Sequence, residues 1–264
     1  MFYYREYPVA APLSTYIKKC WVLDNSQNPL ALTGRKVLPN GCFNLAIISG
    51  QGIAIAGLHH TVLKEGIYFC GQLTSAIDIH LHAYTKIVLV QLYPWAPVNF
   101  MKEGLAGTAD RFLDIHDLQH MLDLDFELWD EPAILAAVQR SFLPLLNAPG
   151  HVTMAVCSLL RAEKGNLRIT DIAANMGVSN RYLEKKFREA LGITPKDYAG
   201  IIRVRSLIDA YQQRSNSPGF TGLALEHGFY DQAHFIKSFA AITRISPGKF
   251  NLDAYLLALN GQGI

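Results

Sequence analysis

Three long cations, Arg181, Lys185 and Arg188, stand four and then three residues apart. On an α-helix, at about 100° per residue, they share one ~60° sector roughly opposite Leu183, Phe187 and Ala190. Guanidinium and ammonium groups arrayed along one helix face can donate hydrogen bonds to guanine edges and to phosphate oxygens. A solvated helix face is often charged in any protein, so this face alone does not separate a groove-reading helix from an ordinary exposed one.

Other residues offer different chemistry. His80 and His82 alternate along a β-prone run, so they would point the same way and could share a metal, with His59-His60 as further imidazoles. That is the pattern of a metal-dependent β-barrel enzyme, but no carboxylate pattern completes the ligand set. Cys20 follows Lys18-Lys19, cations that could lower a thiol pKa as in alkyl-transfer repair proteins, but no nucleophile motif surrounds it. Trp21, Tyr68, Tyr93 and Trp95 are candidates to line an effector cavity, with core packing as the competing role. The expectation is a protein with no catalytic residue, no metal and no cofactor.

The elements that must position the cationic face come next. Thr170 and Asp171 are helix-start residues, and Ile172, Ala173 and Met176 follow at the spacing of one buried face. Gly177 can supply a left-handed helix end, and Ser179 can cap the next helix, which carries the three cations. A short helix, a glycine turn and a second helix make a helix-turn-helix, whose second helix can enter a major groove.

The same text recurs. Ile169-Thr170 through Gly177-Val178 aligns with Phe220-Thr221 through Gly228-Phe229 at an offset of 51. After one inserted residue, Leu183, Phe187 and Thr194-Pro195 align with Phe235, Phe239 and Ser246-Pro247 at an offset of 52. Tyr198 to Gln213 is expected as a connecting helix with Ile201, Ile202, Leu207 and Tyr211 on it, and Ser215 to Gly219 as the loop after it. Two such units on one rigid linker could place two helices in successive major grooves, ~34 Å apart. Arg203 and Arg205 on the linker are expected to be structural.

Residues from about 150 to 255 resemble the DNA-binding domain of the AraC/XylS family of bacterial transcription regulators. The matching text includes Asp171-Ile172-Ala173, Gly177-Val178-Ser179, Tyr182-Leu183, Phe187-Arg188, Gly192-Ile193-Thr194-Pro195, Gly228-Phe229-Tyr230-Asp231-Gln232, His234-Phe235 and Ser246-Pro247. The resemblance implies DNA contact by Asn180, Arg181, Glu184, Lys185 and Arg188 on the first reading helix. On the second it implies Gln232, Ala233, His234 and Lys237. It also implies RNA polymerase as a partner and activation through that contact, whereas repression is equally compatible with these residues. This chain departs from the family pattern at Gly222, which weakens a helix, and at Lys237, where arginine is common. The second reading face is the less polar of the two, so the first helix is expected to make most of the base contacts.

The first part of the chain has another character. Cys20-Trp21-Val22-Leu23, Val37-Leu38, Cys42 to Ile48, Ile53 to Ala56, Ile67 to Cys70, Ala76 to Leu81 and Lys86 to Tyr93 are short β-prone runs, and Pro39-Asn40-Gly41 is a turn. Their spacing predicts a sandwich or barrel. Leu113, Leu118, Met121 and Leu122 lie in acid-rich helical surroundings. Glu131 to Leu146 follows as a helix that Pro144 can end early. His151 to Lys164 is a further helix, with Val152, Ala155, Val156, Leu159 and Leu160 as its apolar stripe. The Tyr4-Arg5-Glu6-Tyr7, Cys20–Leu23, Leu38–Gly41 and Phe69-Cys70-Gly71-Gln72 text resembles a poorly characterised domain often placed ahead of such a DNA-binding module.

The fold class predicted is therefore α+β. Residues 1–147 form a β-rich barrel or sandwich-like domain with trailing helices, for sensing or dimerisation. Residues 148–257 form an all-α domain of two helix-turn-helix units joined by a linker helix, and 258–264 a tail. Over 264 residues the net charge is only +2, but it is uneven: 10 basic and 13 acidic side chains before residue 148, 14 and 9 after it. The basic excess falls on the helix-turn-helix half, as phosphate binding requires. Cys20, Cys42, Cys70 and Cys157 show no CxxC spacing and are expected as free buried thiols. Neither a secretory start nor a bilayer-length apolar run is evident, which predicts a cytoplasmic protein that does not enter membranes. Its expected partners are double-stranded DNA, RNA polymerase, a small-molecule effector and a second copy of itself.

Overall fold

A computed structural model describes residues 3–9, 11–101, 104–115, 131–145, 152–213 and 219–256. Among these residues ten strands form two antiparallel sheets: β1 Tyr3–Tyr7, β2 Ile17–Asp24, β3 Leu32–Val37, β4 Phe43–Ser49, β5 Ile53–Ala56, β6 His60–Leu63, β7 Gly66–Cys70, β8 Ile77–Leu81, β9 Lys86–Leu92 and β10 Phe112–Asp114. The larger sheet runs in the order β1-β2-β9-β4-β7-β10, and the smaller β3-β8-β5-β6. Every β-prone run singled out in the sequence overlaps a strand, although Val37-Leu38 reaches only the last residue of β3. Three strands escaped that reading: β1 and β6 are rich in polar or exposed residues, and β10 has three residues only.

The central strands are apolar on both faces for a reason visible in β4. Ala46 and Ile48 pack between the sheets with Trp21, Tyr68, Ile55 and Ile79. Phe43, Leu45 and Ile47 point the other way, into a core shared with the helices. A solvated antiparallel sheet would alternate polar and apolar residues, and this one does not because helices cover its second face.

Among the described residues seven α-helices follow: α1 Glu131–Phe142, α2 Val152–Ala162, α3 Ile169–Asn175, α4 Asn180–Leu191, α5 Pro195–Gln213, α6 Gly219–Glu226 and α7 Gln232–Thr243. α1 stops just ahead of Pro144 in a 3-10 turn, Leu143–Leu145. Three expectations need correction. Leu113 lies in strand β10, paired with Phe69, rather than in a helix. The buried face of α2 is Thr153, Val156, Cys157 and Leu160, while Ala155 and Leu159 are exposed, so the stripe is rotated towards α4 and α5. Met176 is the C-terminal cap of α3 and faces solvent, leaving Ile172 and Ala173 as the buried pair. In addition, Arg168 precedes α3 as its cap, and Thr170 and Asp171 lie within the first turn. Leu118, Met121, Leu122, most of the acid-rich segment, the boundary at 147, the loop from 215 and the tail 258–264 fall outside the described residues.

One hydrophobic cluster runs from the larger sheet through α2 to α7. At the seam the predicted turn Pro39-Asn40-Gly41 presses Gly41, at φ +69°, onto α5, where an added Cβ would lie 2.8 Å from both Tyr198 and Ile202 side-chain atoms. Arg35 donates to the Asp253 carbonyl oxygen at 2.7 Å, and Lys36 bridges Tyr255 in parallel. The ends of both reading helices are tied to the β-rich half. Leu105 N–H donates to Glu189 O at 2.8 Å, near the end of α4, and Ala76 N–H to Ile242 O at 2.7 Å, near the end of α7. Each bond satisfies one of the carbonyls that a helix terminus otherwise leaves open.

Candidate nucleic-acid interface

The turn between α3 and α4 forms as the sequence requires. Gly177 takes φ +65°, and the Ser179 side chain accepts from Tyr182 N–H at 3.1 Å. Leu183, Phe187, Ala190 and Leu191 are buried, which fixes the rotation of α4 about its axis. Asn180, Arg181, Glu184, Lys185 and Arg188 are consequently all exposed. Among the described residues, Arg181, Glu184 and Arg188 make no ion pair. Lys185 stands 3.8 Å from Glu189, a long contact on a largely exposed side chain, whereas Lys186 takes the closer position at 3.0 Å. Glu189 hydrogen-bonded to Lys186 is held below the usual carboxylate range, and Lys186 is raised in turn. That pair lies to the side of the cationic face and leaves Arg181, Lys185 and Arg188 available to a polyanion.

The second unit repeats this construction with different side chains. Asp231 caps α7 by accepting from His234 N–H at 2.7 Å, and Phe235, Phe239, Ile242 and Thr243 are buried. Gln232, Ala233, His234 and Lys237 are exposed. α6 forms despite Gly222, within a unit that an aromatic cluster holds together. Phe220 lies 4.9 Å from Phe239, Phe229 5.3 Å from Phe235, and Phe250 5.3 Å from Phe239, centroid to centroid. Such pairs contribute on the order of 0.5–1.5 kcal/mol each beyond their buried area. On the linker, Arg203 donates to Gly165 O at 3.2 and 2.6 Å, and Arg205 pairs with Asp209 at 2.8 Å, so both serve the scaffold.

Sequence reasoning gave no role to four exposed apolar residues on these units, Tyr182, Leu225, Tyr230 and Ile236. The repeat itself carried the signal for one of them, since an offset of 52 brings Ile236 onto Glu184.

The other candidate residues are scattered. Tyr68 is buried between the sheets, and Tyr93 stacks on Trp95 at 4.8 Å under the Arg161 guanidinium. Trp95 donates to Thr15 O at 2.8 Å. Trp21 borders a cleft of about 740 Å³ between β1, β2 and α5, to which Arg5, Lys18, Lys19, Lys36 and Arg205 bring positive charge and Glu6 and Asp209 negative charge. Lys19 pairs with Glu6 and Lys36 with Asp78. Burial, with Arg161, Arg205 and Lys19 nearby, holds the Lys18 ammonium below the ordinary lysine range. The Trp21 indole N–H and the Gln91 Oε1 at this cleft are buried without a hydrogen-bond partner. The His80 and His82 rings meet edge to face at 5.3 Å, and His82 Nδ1 sits 3.0 Å from Gln51 O. Among the described residues no group of three or more His, Cys, Asp or Glu is placed to hold a metal, and no helix is long and apolar enough to cross a membrane. All four cysteines are free and buried, and burial pushes the Cys20 thiol up to about 12, away from the nucleophilic range.

Comparison with known proteins adds names to both halves. A family described as a helix-turn-helix domain matches residues 172–252, and one described as a domain of unknown function (DUF6597) matches residues 5–114. The chain is 31% identical over 111 residues to a probable thc operon regulatory protein of Rhodococcus erythropolis, covering 42% of this chain. The chain spans about a third of the length of that curated relative, 33%. Among solved structures it is similar to ToxT from Vibrio cholerae, with 11% identity, 94% of this chain and 97% of that one covered, and a TM-score of 0.46. It is also similar to the AraC-like transcriptional activator CuxR, with 16% identity, 73% of each chain covered and a TM-score of 0.28.

Proposed function

We propose, from the AraC-type helix-turn-helix domain that this chain carries over residues 172–252, that the protein is a sequence-specific DNA-binding transcription regulator. The observation that supports this reading most is the duplicated reading face. Two capped helices, each rotated by a buried Leu/Phe or Phe/Phe pair, present Asn180, Arg181, Glu184, Lys185 and Arg188 on one and Gln232, Ala233, His234 and Lys237 on the other. Arg181 and Lys185 donate to guanine edges, Glu184 accepts from cytosine, and Arg188 meets phosphate. The unit comprises residues 148–257, with residues 1–147 as a sensor or dimerisation domain. It works in the cytoplasm, where its DNA is.

The effector-responsive part of this reading rests on the cleft between the β-rich half and the linker helix. Lys19, Lys36 and Arg205 at its wall are already paired with Glu6, Asp78 and Asp209, so the groups that suit a small organic anion are the partly desolvated Lys18 and the unpaired indole N–H of Trp21 at its edge. An anion bound there would act on α5, which joins the two reading units. RNA polymerase and a second copy of the chain are further partners within the same proposal. Selection of bound duplexes from a random DNA pool, with and without small carboxylates and phosphates, tests both parts. Enrichment of one two-part site is expected, with affinity shifted by an anion. A pool that stays random would overturn the regulator reading, and an enriched site insensitive to every anion would remove the effector.

A further inference from the structure

The second reading helix is not a weaker copy of the first. It has a different surface chemistry. The two helices bury equivalent positions: Leu183 and Phe187 in α4, Phe235 and Phe239 in α7. Equal rotation means that Arg181, Glu184, Lys185 and Arg188 in the first correspond to Ala233, Ile236, Lys237 and Ala240 in the second. Three of those four are apolar. Ile236 is 41% exposed although it is an isoleucine, and none of the described residues covers that fraction. Tyr230, the one residue by which the second copy exceeds the first, is 89% exposed immediately before the α7 cap. An exposed isoleucine contributes little to folding, and one alone would call for no explanation. Here it stands at the register of a base-reading carboxylate, between small residues that leave its methyl groups unobstructed and beside a lysine suited to phosphate.

The base feature in a major groove that takes an apolar contact is the thymine 5-methyl group; every other edge presents a donor or an acceptor. We infer that Ile236, with Ala233 and Ala240 beside it, forms a subsite for thymine methyl groups, so that the second half of the bound sequence is read by apolar contact. The inference rests on the DNA-binding reading above. It also makes the second helix a reader in its own right, with Lys237 supplying charge rather than the main discrimination.

Full-length protein is titrated onto the duplex recovered by selection, and onto versions in which single thymines of the second half-site are replaced by deoxyuridine. This change deletes only the methyl group. Burying one methyl(ene) contributes about 0.8 kcal/mol, so about fourfold weaker binding is expected at one or two positions. In Ile236→Ala the thymine-to-uracil ratio at those positions should fall to about one, while Ile236→Val retains part of it. Thymine-to-uracil changes in the first half-site should respond to neither variant. Tight, sequence-specific binding that is indifferent to uracil throughout the second half-site would overturn the inference and leave the regulator intact. So would an unchanged ratio in Ile236→Ala, which would assign the apolar patch to a protein partner instead. Absence of any specific site would overturn the regulator reading itself, and the subsite with it.

Discussion

Arg181 and Lys185 carry the strongest single-residue prediction. Both are exposed, and neither is held by a short ion pair, so they can be truncated without disturbing the fold. Arg181→Ala or Lys185→Ala should each weaken specific binding by about 1–3 kcal/mol and relax preference at one or two base pairs. Lys237→Ala should weaken all sequences more evenly and lower the salt dependence by about one counterion. Equilibrium titrations at several salt concentrations separate these outcomes, and a larger specific loss in Lys237→Ala than in both others would reverse the ranking. A second residue-scale prediction concerns the thiols. Burial raises Cys20 and Cys70 from 9.0 to about 12, so both stay protonated at neutral pH. Native protein should alkylate slowly at pH 8, and unfolded protein quickly. Between roughly pH 9 and 12 the folded chain retains protons that the unfolded chain releases, so stability should fall as pH rises through that window. Rapid alkylation of native Cys20 would revive a nucleophilic role.

At the scale of elements, the helix-turn-helix was legible because its rules are local: a glycine at positive φ, a hydroxyl or carboxylate cap, and a buried pair four residues apart. The strands were legible where both faces are buried, as in β4, and not where polar residues dominate, as in β1 and β6. What the sequence could not convey was which side of a helix meets a distant partner. The α2 stripe was placed one position off because Ala155 and Leu159 are apolar yet face solvent, while Thr153 and Cys157 are buried. The cleft escaped for the same reason, since β1, β2 and α5 meet only in three dimensions. Gly41 makes this dependence testable. Gly41→Ala combines left-handed backbone strain with contact to Tyr198 and Ile202 and should cost on the order of 1–3 kcal/mol. Gly177→Ala, also at positive φ but facing open space, should cost about 1 kcal/mol or less. Denaturant melts of the two variants compare them directly, and equal costs would mean that the seam is looser than its geometry implies.

On the scale of the whole molecule, the continuous core and the two backbone bonds from Leu105 and Ala76 make the β-rich half a support for both reading helices. The chain should therefore melt in one calorimetric transition, with equal calorimetric and van't Hoff enthalpies. Two separate transitions would mean that the halves fold independently. A rigid pair of reading helices also demands fixed spacing between the two halves of a DNA site. The most direct test measures affinity of the full chain for the selected duplex, for a scrambled duplex and for a version with about half a helical turn inserted between the half-sites, at physiological salt. The selected duplex should bind at least about 10³-fold more tightly than the scrambled one, and the insertion should remove most of that preference. Equal affinity for all three would contradict a two-headed, sequence-specific DNA reader.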